Sequence, residues 1–242
     1  MTASKALLTR DDLGLKVTVQ HVRVDGEPYR VISPAAPLGN GALLHHDSDN
    51  LYNLYVDRAD GRRVGALWLL AARSPRSLVY LPMRATPTPP DTGYQGERPI
   101  DLVIAHRAVQ FRLSRWKRLR ARLNTVHVPR STQTARVPER DMPAEALDAD
   151  YRPPPDPEGR DLLDRRLHAD TLFLTGTPAA LRLAAADVFA VARDGPPFAA
   201  RGWYYTDGCN YHLCRTVYHW EDRHGHVDDL FHVSFCPTWT RR

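Results

Sequence analysis

Lysine is nearly absent from this 242-residue chain: Lys5, Lys16 and Lys117 are the only lysines among 33 basic residues, so 30 are arginine. High-GC codon usage accounts for much of such an excess, but not for where the arginines cluster. Cysteine is as scarce, with Cys209, Cys214 and Cys236 confined to the last 34 positions. An odd number of thiols in a chain without an export signal argues against a disulfide framework and for free thiols. No apolar run approaches the roughly 20 residues that span a bilayer; the longest, "VGALWLLAA", covers residues 64–72. The opening "MTASKALLTRDD" lacks the apolar centre of a signal peptide, so a cytoplasmic protein without a membrane partner is expected. P-loop, G-x-G-x-x-G and G-x-S-x-G stretches are missing too, which counts against nucleotide-driven and acyl-transfer chemistry.

What is present supports a folded core, with 43% hydrophobic residues and five Trp. The net charge of +5 hides an asymmetry: residues 101–140 hold ten Lys/Arg against Asp101 and Glu139, a local +8, so the remainder sums to −3. At its centre, "QFRLSRWKRLRARL" (residues 110–123) packs Arg112, Arg115, Lys117, Arg118, Arg120 and Arg122 together with no acid. Surface helices usually mix signs, because a Glu or Asp four residues from a cation adds stability and limits self-repulsion. At about 100° per residue the spacing predicts one helix over residues 100–123. Leu102, Val109, Leu113, Trp116 and Leu123 would share its inner face, and Arg107, Arg115, Arg118 and Arg122 its outer one. A membrane-surface helix, a docking helix for an acidic protein and a solvated face all remain open. Nucleic acid is favoured because the outer arc lacks large apolar residues and because guanidinium forks grip phosphate bidentately. Arg130, Arg136 and Arg140 carry the charge onward into a segment expected to order on RNA.

The first 85 residues read as strands. "LKVTVQHVRV" alternates and is followed by a "DGEP" turn, "LYNLYVDRADGRRVGALWLLA" suggests two strands joined at Asp60-Gly61, and "SLVYLPM" supplies another. Residues 124–160 carry many Pro and no period, which reads as a partly flexible linker. After it come a strand "DTLFLTG", an Ala-rich helix ending at Gly195, a strand "GWYYTDG" and a long hairpin turning near Gly225. Strand, helix, strand, strand is most of a ferredoxin-like unit. The expected class is therefore α+β: tandem ferredoxin-like (RRM-like) domains over 1–98 and 160–242, with an inserted Arg-rich helical element over 99–159.

Two histidine-bearing stretches could carry chemistry. "LLHHDSDNLYNLY" places His45 and His46 beside Asp47 and a glycine-containing loop, and imidazole is the side chain best poised for proton transfer near pH 7. The tail holds His212, His219, His224, His226 and His232 with the three Cys. No paired CxxC follows, and strand alternation separates close neighbours, so thiols and polar strand residues are expected there rather than a metal site. "FHVSF" matches one half of the tandem H-x-S/T signature of two-histidine phosphoesterases, but "VHVPRST" has Pro129 where the second hydroxyl belongs.

Taken together, an N-terminal strand with Arg23, a His doublet after a Gly/Pro loop, an inserted Arg-rich helix and a C-terminal ferredoxin-like pattern resemble the CRISPR repeat-RNA endoribonucleases of the RAMP superfamily, most of all their type IV branch. The resemblance implies cleavage of repeat precursor RNA to mature crRNA without metal or cofactor. A 2′-hydroxyl would attack the neighbouring phosphate, leaving a 2′,3′-cyclic phosphate, and the enzyme would stay bound as a subunit of the effector complex. On that reading His45 or His46 transfers protons, and Arg23 and Arg242 stabilise charge. Arg107, Arg112, Arg115, Lys117, Arg118, Arg120, Arg122, Arg130 and Arg136 would hold the RNA. The alternative is a noncatalytic RNA- or DNA-binding subunit using the same basic segment.

Overall fold

The computed structural model describes residues 9–38, 41–47, 51–89, 97–125, 127–142, 162–200, 213–221, 224 and 227–236. The element order is β1 (Gly14–Val24), β2 (Glu27–Pro34), β3 (Ala42–His46), β4 (Leu51–Val56), α1 (Arg58–Ala72), β5 (Ser77–Leu81), β6 (Arg98–His106), α2 (Trp116–Leu123), β7 (Arg130–Arg136), β8 (Leu163–Leu167), β9 (Thr171–Gly176), α3 (Pro178–Ala200), β10 (Cys214–Glu221) and β11 (Val227–Phe235). The protein is thus mixed α+β, with three helices and an 11-stranded open sheet among the described residues. Among the described residues, no helix is long and apolar enough to cross a membrane.

The sheet runs β10-β11-β4-β3-β6-β5-β2-β1-β7, with β9 also on β6 and β8 on β9. Most neighbours are antiparallel, but β4 with β11, β6 with β9 and β2 with β5 are parallel. Two stretches repeat one connectivity: β3-β4-α1-β5-β6 and β8-β9-α3-β10-β11. The strand just before the helix in each stretch, β4 or β9, lies parallel to the last strand of the other, β11 or β6. Even the caps correspond. One residue after β4, Asp57 Oδ1 accepts from the Asp60 N–H at 2.7 Å; one residue after β9, Thr177 Oγ1 accepts from the Ala180 N–H at 3.1 Å. Each bond satisfies an otherwise orphaned donor at a helix start.

The two faces of the sheet bury different clusters. Along β6, Ile100, Leu102 and Ile104 face α1 and α3, whereas Val103 and Ala105 face the opposite side, as period-2 alternation requires. The first cluster runs from Leu13 to Phe235 and includes Trp68, Phe189 and Phe231. On the other face α2 lays Trp116, Leu119 and Leu123, spaced i, i+3 and i+7, over Val22, Tyr29, Tyr80 and Phe173. Trp116 makes edge contacts with Tyr80 and Phe173 at centroid distances of 5.1 and 5.2 Å, and its Nε1–H donates to Thr171 Oγ1 at 2.9 Å.

Several sequence expectations are corrected. Asp60-Gly61 is no hairpin turn but the first turn of α1, because Asp57 caps a helix there. The single helix over 100–123 is instead β6, a loop, a 3-10 turn at Leu113–Arg115 and the eight-residue α2. The boundary expected at 98/99 therefore falls inside a central strand, and Arg107 lies in the turn after it. The segment expected to be irregular after residue 124 contains β7, paired with β1. Helix α3 continues past Gly195 through Pro196 and Pro197. The strand expected at "GWYYTDG" lies outside the described residues, as do Cys209, His212, His226 and Arg242. The "DGEP" turn, β5, β9 and the β10–β11 hairpin form where expected.

Candidate functional site

The basic segment divides into cations that hold the fold and cations that face solvent. Arg120 belongs to the first kind: its Nη1 donates to Ala169 O at 3.0 Å and Thr171 Oγ1 at 3.1 Å and lies 3.4 Å from Asp101 Oδ2. That carboxylate is 4% exposed and also accepts from Tyr80 OH and the Met83 and Arg84 backbone N–H groups. Arg115 is likewise committed, donating to Tyr29 OH at 2.7 Å beside Asp25. Burial is the main cause that raises the Tyr80 pKa, and the adjoining Asp101 carboxylate adds to it.

Arg118, exposed, pairs with Asp25 at 2.6 Å. Arg122 donates to Arg23 O at 2.6 Å, and Arg130 to Leu123 O at 3.2 Å. Arg107, Arg112, Lys117 and Arg136 are exposed, with no side-chain hydrogen bond or ion pair among the described residues. Helix α2 and its flanks thus present a cationic ridge in which the acid that was missing locally, Asp25, arrives from the β1–β2 turn.

The histidine doublet is split. Side chains alternate across a strand, so His46 packs with Tyr52 on the α1/α3 face, centroids 4.8 Å apart, while His45 faces the other side near Tyr55. Burial, and then the nearby Arg98, lower the His46 pKa, which keeps its ring neutral near pH 7. His45, 3% exposed, places Nδ1 2.8 Å from Glu97 Oε2, and the other Glu97 oxygen accepts from Asn53 Nδ2 at 2.8 Å. Donation from Nδ1–H to this carboxylate leaves Nε2 toward the Thr88 hydroxyl at 3.4 Å.

Register extends this group into a row across the face: His45 opposes Asn53, Asn53 opposes His232, and His232 opposes Thr216, whose Oγ1 lies 3.1 Å from His232 Nε2. A fixed-tautomer imidazole beside a carboxylate is suited to proton transfer. Here, however, the ring is closed to a macromolecular substrate, and the same bonds fasten Thr88 and Glu97 to the sheet.

Among the described residues, Arg23 does not come together with the two histidines. Arg23 on β1 and His45 on β3 are separated by β2, β5 and β6, four strand spacings or roughly 19 Å. Arg23 instead donates to Gly26 O and sits beside Arg122. Glu97 and Asp25 were not singled out from the sequence. Glu97 stands two residues before Pro99, the β6 residue opposite His45, so only the strand register could have revealed it. Among the described residues no three His, Cys, Asp or Glu side chains converge as metal ligands. Comparison with known proteins finds no matching family model, curated protein or solved structure.

Proposed function

We propose that the protein binds RNA through the ridge of α2 and its flanks, with Arg107, Arg112, Lys117, Arg118 and Arg122 on the phosphates. The observation that carries this reading is the set of exposed cations Arg107, Arg112 and Lys117, without a side-chain partner among the described residues, along the segment that leads into and begins a helix whose apolar side is spent on the core. Phosphate contacts release counterions, so affinity falls linearly on a log–log plot against salt, by about 0.7 to 0.9 per contact. The test is a salt titration of binding to a structured RNA by the native protein and by a double variant, Arg112→Glu with Lys117→Glu. The variant should bind more weakly with a slope shallower by about 2. Equal slopes would remove α2 from the interface, and no binding at low salt would remove RNA.

A second reading adds cleavage: a cytoplasmic, metal-independent CRISPR repeat-RNA endoribonuclease that remains in an effector complex. The Glu97–His45 pair is the observation in its favour, because it fixes the imidazole tautomer. Burial of His45 and its separation from the ridge favour the noncatalytic RNA-binding subunit instead. A finer fold reading, two ferredoxin-like units, has the repeated strand–helix–strand–strand order in its support, and against it the single helix that each repeat contributes. Incubating end-labelled repeat-hairpin RNA with the protein in excess EDTA decides the chemistry. A discrete cut ending in a 2′,3′-cyclic phosphate, lost in His45→Gln with binding retained, would establish cleavage; binding without a cut leaves the subunit.

A further inference from the structure

Among the described residues, strand β7 is an open sheet edge. It pairs with β1 from Gly14↔Arg136 to Gln20↔Arg130, and it ends the strand order of the sheet. Just beyond it the Val137 N–H donates to Leu13 O at 3.0 Å. In an antiparallel ladder such pairs alternate, so Ser131, Gln133 and Ala135 turn their backbone groups toward β1. Arg130, Thr132, Thr134 and Arg136 turn theirs outward. All four are exposed. Natural edges are blunted by Pro, bulges or inward charges; β7 has no Pro, and its register with β1 is unbroken. Its outward backbone groups are bracketed by two cations, Arg130 and Arg136, whose side chains share a face with Lys16, the partner of Thr134. Alongside lies a cleft of about 750 Å³ lined by Arg10, Lys16, Thr134, Arg136 and Glu139, among others.

We propose that β7 accepts an extended acidic peptide segment of a partner protein as an added antiparallel strand. The added strand's backbone would pair with Thr132 and Thr134, and carboxylates six residues apart would meet Arg130 and Arg136. Main-chain bonds supply the affinity of such strand addition, and alternate side chains its selectivity. A second copy of this chain is the poorer occupant, because full antiparallel overlap of two β7 strands sets Arg130 against Arg136 twice. Like charges directly opposite are destabilising. RNA has no strand backbone to pair with the edge.

The probe is a fluorescein-labelled, amidated peptide, Glu-Thr-Val-Thr-Val-Thr-Glu, with its Lys-ended counterpart and a form N-methylated at both valines, read by anisotropy on the full chain. The Glu-ended peptide should bind, and both other peptides at least tenfold more weakly. Thr134→Pro removes an outward N–H while sparing the β1 ladder, so it should weaken binding at least tenfold with an unchanged Tm. Arg130→Glu with Arg136→Glu should invert the preference for peptide ends. The N-methylated peptide keeps the test decisive on native protein if Thr134→Pro fails to fold. Absence of binding at millimolar peptide would overturn the proposal, as would indifference to N-methylation or to end charge. Displacement of the peptide by hairpin RNA would assign the edge to nucleic acid, and native dimers broken by Thr134→Pro would assign it to a second copy; both would overturn it.

Discussion

Asp60 sits in the first turn of α1 with a side chain 10% exposed, and burial raises its pKa to about 6, opposed by Arg63, whose Nη1 lies 2.5 Å from Oδ1, and assisted by neighbouring Asp57. An unfolded Asp titrates near 3.9, so between about pH 4 and 6 the native state binds a proton that the unfolded state has released. Stability must then fall as pH rises through that window, since the slope follows the difference in protons bound by the two states. Asp60→Asn removes the titration, so its Tm should vary less between pH 4 and 6 than that of the native protein. Parallel Tm profiles for the two would show that Asp60 ionises without cost. The same residue explains a misreading of the sequence. Asp-Gly is a strong hairpin signal, yet Asp57 three positions earlier caps a helix, and choosing between them needs tertiary contacts. In the basic segment the run of cations was legible, but Asp101 and Asp25 as partners of Arg120 and Arg118 were not. Arg118 and Asp25 stand 93 residues apart in the chain.

Elements were legible in proportion to how much of each faces one environment. Strand β1 alternates because each face is covered over only part of its length: Leu15, Val17 and Val19 join the cluster of α1 and α3 while His21 and Arg23 on the same face stay exposed, and Val22 and Val24 on the other face join the cluster of α2. Its turn into β2 is announced by Asp25 and Gly26, with φ of 52° and 81°. Strand β6 is buried on both faces from Ile100 to Ala105, which erases its alternation and lets "IDLVIAH" merge into the following helix. Helix α1 was obscured for another reason: its glycines serve packing. A Cβ on Gly61 would lie 2.8 Å from Ala192 Cβ, and one on Gly65 2.8 Å from Phe189 Cε2, so α1 and α3 cross at backbone distance. Gly65→Ala gains about 1 kcal/mol of helix propensity, but overpacking the crossing costs roughly 1 to 3 kcal/mol. Urea unfolding should therefore show Gly65→Ala neutral to destabilised by about 2 kcal/mol. Adding Phe189→Leu, itself destabilising, should recover part of that loss, a coupling measurable by a double-mutant cycle. A Gly65→Ala chain more stable than the native one would mean that the crossing relaxes freely.

At the scale of the molecule, the repeated connectivity looks like two domains in the linear chain but packs as interlocked halves. Strand β11, last in sequence, is inserted beside β4, and β9 lies beside β6, so each half supplies a strand that the other pairs. The helices of the two halves meet at the glycine crossing, and one apolar cluster includes residues from Leu13 through Phe235. Splitting the chain between β7 and β8 would strip β4 and β6 of a parallel neighbour each and expose the inner sides of both α1 and α3. Independent domains predict two thermal transitions and a soluble, folded fragment over residues 160–242. Interlocked halves predict one cooperative transition, with calorimetric and van't Hoff enthalpies equal, and the same fragment unfolded by circular dichroism and amide exchange. Mixing it with a fragment over residues 1–159 should restore structure, because the interface between them is the sheet itself. Two resolved transitions, or a 160–242 fragment with protected amides in β9 and α3, would show that the duplication is one of domains rather than of a shared core.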